Sequence, residues 1–503
     1  MAPDTGVIQE IETHIQLVKY HPDEASDARA QRRQLEEELA TAPLFSSLIR
    51  SVLCKKSQGD AEEAEYYQQY GLLGLRVHGH PILRPENHLV YANIAAPWSA
   101  FICGSQGSGK SHTLSVFLEN ALILASPAGR LTSPLTGLAL HYDKFTAFSS
   151  TQLCEAACLC SSGIPVRVLV SPTNYANMKE AYSNVPGLGD AAKKYLTVEP
   201  MYLPQESLNL SMMKTLMGID TMREQPLYVE VIMKILRGMA ISNQGGSGFN
   251  YAQFKCQLED AHFMKGQEIP LKMRLDVLES FFHPQTVPGA NGTGKTKAHR
   301  KPRQADIWQF RKGGLTIIDL SCPFVSPDDA CALFNICISL FLMHRKDSGR
   351  IIALDEAHKQ RHLGTRVVIA TQEPTVSPKL LDLCNISIIY RFSSPAWFKE
   401  IQAHIAGAAI EVSDSRTSKT TSDLFRQITS LPTGEALVFC PSALLDTAQY
   451  GSEYQNVARK SEMMVDGEVN SYQNTAIQLG PKHARICIRD RITADGGRSV
   501  MEV

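Results

Sequence analysis

The segment Trp98–Leu122, WSAFICGSQGSGKSHTLSVFLENAL, constrains this chain more than any other. Within it, Gly104-Ser105-Gln106-Gly107-Ser108-Gly109-Lys110-Ser111 satisfies the pattern G-x4-G-K-[ST]. A β-like run, Ser99–Cys103, precedes it. A helical run follows, in which Leu114, Phe117, Leu118 and Leu122 recur on one face. Strand, glycine loop and helix together make a phosphate-binding turn. Glycines let the backbone curl so that its N–H groups point inward at phosphate oxygens. The helix presents its positive N-terminal end to the same anion. In this pattern Lys110 reaches the β- and γ-phosphates and Ser111 ligates Mg2+. The expected nucleotide-binding stretch is Gly104, Ser105, Gln106, Gly107, Ser108, Gly109, Lys110, Ser111 and His112, with ATP and Mg2+ as cofactors. A second match, Gly289-Ala-Asn-Gly-Thr-Gly294-Lys295-Thr296, has neither neighbour: His283-Pro284-Gln285 lie upstream and KAHRKPRQ downstream. It reads as a decoy, because the motif binds phosphate only between a strand and a helix.

Ile351-Ile-Ala-Leu-Asp355-Glu356 is an apolar strand ending in two carboxylates. Asp355 at the strand tip suits the Mg2+ shell opposite Ser111. Glu356 suits the general base that orients the attacking water. The letters Asp355-Glu356-Ala357-His358 also spell a helicase box, but three features oppose that reading. The 245 positions from Lys110 to Asp355 exceed what one helicase lobe carries between these motifs. Too few residues follow for a second lobe. Gln360-Arg361-His362 stands at once after the box, where a helicase would have its arginine segment far downstream. No Asn-Lys-x-Asp guanine motif occurs, which favours ATP over GTP. The next strand candidate, Arg366–Ala370, runs into Thr371 and Gln372, and a polar side chain there can contact the γ-phosphate or the water. Arg391 ends the strand after that. It suits a trans-acting finger for transition-state charge or, equally, a surface salt bridge.

Around these motifs, short apolar runs alternate with helical stretches, the rhythm of an α/β fold with a parallel sheet. The strand candidates are Ser99–Cys103, Leu138–Tyr142, Val166–Val170, Leu315–Leu320, Ile351–Leu354, Arg366–Ala370, Ile386–Tyr390 and Ala436–Phe439. Several are continuous rather than alternating, as in strands covered on both faces. The expected organisation is a polar helical region over 1–75, the first part of the core over 76–172 and a mostly helical insertion over 173–313. The second part of the core follows over 314–445, then a tail over 446–503 with a late strand. Helices are expected over Leu227–Met239, Leu271–Phe282 and Ala330–Met343, the last capped by Ser326-Pro327-Asp328-Asp329.

Composition excludes whole classes. With 50 Lys+Arg against 51 Asp+Glu, the chain is no basic nucleic-acid coat, so any DNA contact must be local. The local candidate is Lys295–Lys312, which interleaves Trp308 and Phe310 with basic residues, although such a run is ordinarily a solvated loop. No run approaches the ~18 apolar residues of a membrane span. The N-terminus carries Asp4, Glu10 and Glu12 in place of a basic, apolar leader. The expectation is an intracellular protein, of cytoplasm or nucleus, without membrane association. Cys154, Cys158 and Cys160 match no zinc spacing and read as a buried helical face.

Taken together, the phosphate loop, the wide spacing, LTIIDLS, the Asp-Glu strand, ATQEP and the strand ending in Arg391 resemble the HerA/FtsK group of P-loop ATPases. The resemblance is nearest to fungal HerA-like P-loop NTPase proteins and spans about 76–445. It implies a RecA-like (ASCE) α/β core with a mostly parallel central sheet and a helical insertion between the phosphate loop and the acidic strand. It further implies a ring-shaped homo-oligomer that hydrolyses ATP and acts on DNA. By motif match it points to Lys110, Ser111, Asp355, Glu356 and Gln372 as nucleotide-site residues, with Arg391 as the finger. Asp143, in HYDK, falls where the group often has an acid. Residues 1–97 do not read as the N-terminal β-barrel clamp of HerA. An ATP-dependent switch or scaffold that translocates nothing is the alternative from another class.

One segment departs from the resembling proteins. Parallel neighbours need a crossover of about a dozen residues, usually with a helix. Only Ala357–Thr365 separate Glu356 from Arg366. As helix they would span about 13 Å and leave nothing for two loops. The chain reads as one helix short, through a mis-assigned splice junction or through real loss in a degenerate ATP binder. Sequencing the transcript across Lys359–Gln360 decides: additional codons there are expected from the first reading, and an uninterrupted match to this sequence excludes it.

Overall fold

A computed structural model describes residues 37–51, 67–77, 85–143, 152–204, 212–213, 227–242, 249–261, 263, 265–282, 307–343, 349–355, 365–372, 381–404, 418–447 and 476–494. The strands in chain order are β1 (Leu44–Ser46), β2 (Tyr70–Arg76), β3 (Leu89–Asn93), β4 (Ser99–Cys103), β5 (Gly129–Arg130), β6 (Thr136–His141), β7 (Val166–Val170) and β8 (Leu196–Pro200). They continue as β9 (Leu315–Asp319), β10 (Arg350–Asp355), β11 (Arg366–Thr371), β12 (Ile386–Ile389), β13 (Glu435–Phe439), β14 (Leu444–Thr447), β15 (Ala476–Gln478) and β16 (His483–Ile488). All join one mixed sheet in the order β15-β14-β1-β3-β2-β16-β13-β12-β4-β11-β10-β6-β9-β7-β8, with β5 beside β2.

From β12 to β8 every pairing is parallel. Between β13 and β1 the pairings are antiparallel. The fold is therefore mixed α/β with a large, mostly parallel sheet. The strand of the phosphate loop, β4, does not touch the acidic strand β10. Strand β11 lies between them.

The continuous apolar runs have the physical cause read from the sequence. Alternate residues of each strand enter two separate cores. Phe101, Leu138, Leu140, Ile318, Ile352, Leu354 and Ile369 face one. That face is covered by α3 (Leu227–Ser242), α4 (Tyr251–Glu259), α5 (Lys265–Ser280), α6 (Pro327–Met343), α7 (Pro395–His404) and α8 (Ser418–Thr429). Ala100, Ile102, Ala139, Ile317, Ile351, Ala353 and Val368 face the other, under α1 (Lys110–Leu122), α2 (Tyr175–Ser183) and a 3-10 helix over Glu155–Ser162. Strands buried on both faces leave no polar positions, so alternation disappears.

Three expectations changed. Residues 1–75 do not read as strand by pattern, yet β1 and β2 are sheet strands. Leu44, Phe45 and Leu73 are fully buried in them. Strand β8 lies inside the stretch expected to be mostly helical and extends the sheet at its far edge. Trp308 and Phe310, in a segment expected to be a solvated loop or a DNA contact, pack against the core. Trp308 is buried and donates from Nε1 to the Tyr202 carbonyl at 2.8 Å, and Phe310 meets Phe341 edge-on at 4.7 Å. The second glycine match at 289–296 lies outside the described residues. Helix α6 begins at Pro327 as its cap predicts: Ser326 Oγ accepts from Asp329 N at 3.2 Å and donates to Asp329 Oδ2 at 2.6 Å. Among the described residues no helix is long and apolar enough to cross a membrane.

The burial of β2 sets a test. Leu73→Ala empties a fully buried position and is expected to cost about 2–5 kcal/mol in urea denaturation. A cost under about 0.5 kcal/mol, the range of surface substitutions, would return this segment to the periphery.

Candidate nucleotide site

The carboxyl ends of the central parallel strands form one edge, and the loop after β4 sits there. Gly107 and Gly109 adopt φ of 71° and 115°, in the left-handed region that side chains disfavour. A Cβ at Gly109 would also stand 3.1 Å from the Tyr390 ring. The loop is anchored through Arg391, whose carbonyl accepts from both Ser105 N and Ser105 Oγ at 2.9 Å. Lys110 Nζ folds back to the Ser105 carbonyl at 2.8 Å. Helix α1 starts at Lys110 with Gly109 as its N-cap and no capping side chain. Its first N–H groups are thus left to the loop cavity. Ser108 Oγ is buried and has no hydrogen-bond partner among the described residues. A buried orphan hydroxyl beside an uncapped helix start and a glycine cradle fits a bound phosphate chain.

Across the edge stands Asp355, the last residue of β10. Its Cα partners are Ala370 on β11 and His141 on β6. Thr371 pairs with Cys103, so Gln372 directly follows the residue in register with the end of the phosphate-loop strand. Gln372 is half-buried. Arg391 follows β12 with an exposed side chain and holds the loop through its backbone carbonyl. Glu356 lies outside the described residues. The edge therefore brings together Gly104–His112, Asp355 and Gln372.

Several residues here carried no signal in the sequence. His141 is fully buried between two acids. Its Nε2 donates to the Gln152 carbonyl at 2.9 Å, and its Nδ1 lies 3.5 Å from Asp355 Oδ2. Burial works against the charged ring, but Asp319 and Asp355 outweigh it and raise His141 to about 10. Asp319 Oδ2 accepts from the Tyr182 hydroxyl at 2.6 Å, and Asp319 Oδ1 accepts from Ser321 N at 3.0 Å. Cys154 Sγ lies near His141 and Asp355, a donor set that superficially suits a metal. Burial, reinforced by Asp355 and Asp319, pushes the Cys154 thiol well up, so it is no ready thiolate. Cys154, Cys158 and Cys160 are buried thiols outside any disulfide. Tyr390 lies under the loop with its hydroxyl against Thr113 Oγ1.

The tail also reaches the site. Glu119, on α1, is 0% exposed. It accepts from Arg489 Nη1 at 2.8 Å, Thr493 N at 2.9 Å and Thr493 Oγ1 at 2.6 Å. Arg489 also donates to Asn120 Oδ1 at 3.0 Å and to the Leu72 carbonyl at 2.9 Å. His112 Nε2 donates to the Arg489 carbonyl at 2.8 Å. The segment after β16 thus clamps the helix that begins at the phosphate loop. Despite its burial, the bonds from Thr493 and the Arg489 charge hold the Glu119 carboxyl below its usual range.

No protein-family model and no curated protein matches the chain. Among solved structures it is similar to VirB4 of Thermoanaerobacter pseudethanolicus, at 10% identity and a TM-score of 0.42, over 74% of this chain and 94% of that one. It is similar to the bacterial conjugative coupling protein TrwB at 11% identity and a TM-score of 0.36, over 87% and 98%. It is also similar to the genome packaging NTPase B204 of Sulfolobus turreted icosahedral virus 2, solved with AMPPCP. That match has 14% identity and a TM-score of 0.18, over 25% of this chain and 62% of that one. With TM-scores below 0.5, what the site does has to come from the residues of this chain.

The clamp on α1 sets a second test. Glu119→Gln removes one charge of a buried pair and is expected to cost about 3–5 kcal/mol at pH 7. A carboxyl held low in the folded state stabilises above its unfolded pKa of about 4.3 and loses that contribution as pH falls through the folded value. The gap between wild type and variant, read by urea denaturation, should therefore close below about pH 4. A gap that does not change with pH would show that Glu119 is not ionised.

Proposed function

We propose that this chain binds ATP with Mg2+ at the loop after β4, hydrolyses it, and works as a ring-forming motor on DNA. One observation carries the nucleotide part. A glycine loop with an orphan buried hydroxyl, at the uncapped start of a 13-residue helix, faces a strand-end aspartate one strand removed. Backbone N–H groups at the start of α1 and in the loop before it, other than that of Ser105, hold the phosphates, and Lys110 leaves the Ser105 carbonyl to reach their terminal oxygens. His112, bonded to the tail, fixes the first turn of the helix. Ser111 and Asp355 would hold Mg2+, which supplies charge neutralisation on the phosphate oxygens. Glu356, next along the chain from Asp355, takes the proton of the attacking water. Gln372 positions that water or the terminal phosphate from the neighbouring strand. Arg391 serves a neighbouring subunit, consistent with its exposed side chain at the outer edge of the loop.

The DNA track and the ring rest on the HerA/FtsK resemblance, an analogy of fold rather than of site. Trp308 offers no stacking platform, since it is buried. A second reading has its own observation. β10 and β11 are adjacent and parallel, with Asp355 opposite Ala370, and ten positions, 356–365, separate them in sequence. That is shorter than ordinary crossovers and favours a nucleotide binder that turns over slowly or not at all.

Steady-state ATP hydrolysis with and without duplex DNA separates these readings. The motor predicts turnover that rises with DNA and falls by at least about 100-fold in Lys110→Ala and Asp355→Asn. Turnover indifferent to DNA indicates a switch. Binding without turnover indicates the degenerate binder, and turnover unchanged in Lys110→Ala would place the activity elsewhere.

A further inference from the structure

Strand β12 ends directly beside the glycine loop. Ile389 is in register with Cys103, and Tyr390 N donates to the Cys103 carbonyl at 2.8 Å. Tyr390 therefore stands level with Gly104, the first residue of the loop. It shares the face of Ile386 and Ile388, which α1 covers, and it is only 1% exposed. The loop rests on this side chain at both ends. A Cβ at Gly104 would come 2.5 Å from the Tyr390 Cβ. A Cβ at Gly109 would come 3.1, 3.3 and 3.4 Å from Cε1, Cζ and Oη of the ring. Only glycine lets the backbone lie so close. Beyond the ring, the hydroxyl shares a hydrogen bond with Oγ1 of Thr113, which is fully buried. Thr113 N closes the first turn of α1 on the Gly109 carbonyl at 3.0 Å. Burial pushes the phenol well above its usual range, so the group stays neutral. The next residue, Arg391, accepts Ser105 N and Ser105 Oγ on its carbonyl. Two consecutive residues of another strand thus meet the loop at Gly104, Ser105 and Gly109 and the helix at Thr113.

We propose that Tyr390 is a positioning residue for the phosphates: its ring is the floor on which the glycine loop takes its curvature, and its hydroxyl ties that floor to the start of α1. This rests on the nucleotide-site reading given above. The ring is buried beneath the loop, so its effect on a nucleotide passes through the loop. The N–H groups of the loop and of the first helical turn have to converge on one set of oxygens. Donors already aimed before the anion arrives need no reorganisation when it binds. A smaller side chain at position 390 removes the floor, and the loop must then be ordered at the expense of affinity.

The test uses Tyr390→Leu, which stays apolar but lacks the ring, with Tyr390→Phe and Thr113→Val, which each remove one end of the hydroxyl bond. Circular dichroism establishes that each full-length variant is folded, and urea denaturation gives its stability. The readouts are equilibrium binding of a fluorescent ATP analogue with Mg2+ and its displacement by inorganic tripolyphosphate. In Tyr390→Leu both affinities are expected to fall by the same factor, about 10-fold or more. Tyr390→Phe and Thr113→Val should each lose about 2–5-fold, the scale of one net hydrogen bond. The double variant should lose no more than either alone, because the two hydroxyls share one bond. A merely structural tyrosine would lower the urea midpoint and leave both affinities unchanged, and that result overturns the proposal. A loss confined to the ATP analogue also overturns it, since the effect would then fall on the base or sugar. Additive losses in the double variant do the same. If Tyr390→Leu does not fold, the other three variants decide: unchanged tripolyphosphate affinity in them overturns the proposal. A wild type that binds neither ligand removes the nucleotide-site reading and this inference together. A wild type that binds both, with variants that match it, removes only this one.

Discussion

Parallel pairing in register is the constraint on which the rest of this structure depends. From β12 through β9, neighbouring strands point the same way and end within one residue of the same level. Their carboxyl ends make a single edge, where ligands of open α/β sheets bind. Cys103, Thr371, Asp355, His141 and Asp319 are successive register partners or next neighbours along that edge. A one-residue slip of β10 would turn Asp355 to the opposite face and separate it from His141. The chemistry of the site is thus a property of the sheet. It is held by two apolar cores that fix each strand from above and below.

The phosphate-loop helix is held from outside as well. Its middle carries a buried carboxylate, Glu119, which in an apolar core would be costly. The tail segment around Arg489–Thr493 supplies a guanidinium, two N–H groups and a hydroxyl to it. The same segment bonds His112 in the first turn of the helix. Residues 373 and 374 positions apart therefore share one network, and the loop that would meet phosphate is braced by the end of the described chain. Such a brace couples the state of the tail to the orientation of α1. A loop that must shift Lys110 from the Ser105 carbonyl to a phosphate benefits from a helix that does not move with it.

Much of the central sheet was legible because its signals are local. Ser99–Cys103 and Val166–Val170 were readable end to end, and β9 to β13 to within a residue or two, since strands buried on both faces are continuous apolar runs. The glycine loop was legible as a turn between strand and helix because its glycines stand at fixed spacing between an apolar run and a helical one. The antiparallel strands β1 and β2 were not. Leu44–Ser46 is three residues long, and Tyr70–Arg76 contains two glycines, so neither shows apolar periodicity. Their burial comes from β3 and from β14 and β16, the last two far along the chain. His141 and Glu119 were illegible for a related reason. A lone histidine at a strand end and a lone glutamate in an apolar helix have meaning only beside Asp355, Asp319 and Arg489, and sheet order, which a single sequence does not print, brings those together.

The tightest point of the fold is the connection between β10 and β11, where ten positions join the ends of two adjacent parallel strands of six residues each, beside the proposed Mg2+ ligand Asp355. Whether the edge can close around nucleotide with so short a return is the question on which motor, switch and passive binder divide. The most direct measurement is an experimental structure of this chain with Mg2+ and a non-hydrolysable ATP analogue. The account predicts density for the triphosphate within the Gly104–Ser111 loop, Lys110 Nζ moved from the Ser105 carbonyl to the phosphates, and the ion between Ser111 and Asp355. A nucleotide bound elsewhere, or a loop that stays empty with Lys110 still on Ser105 at saturating analogue, would contradict it.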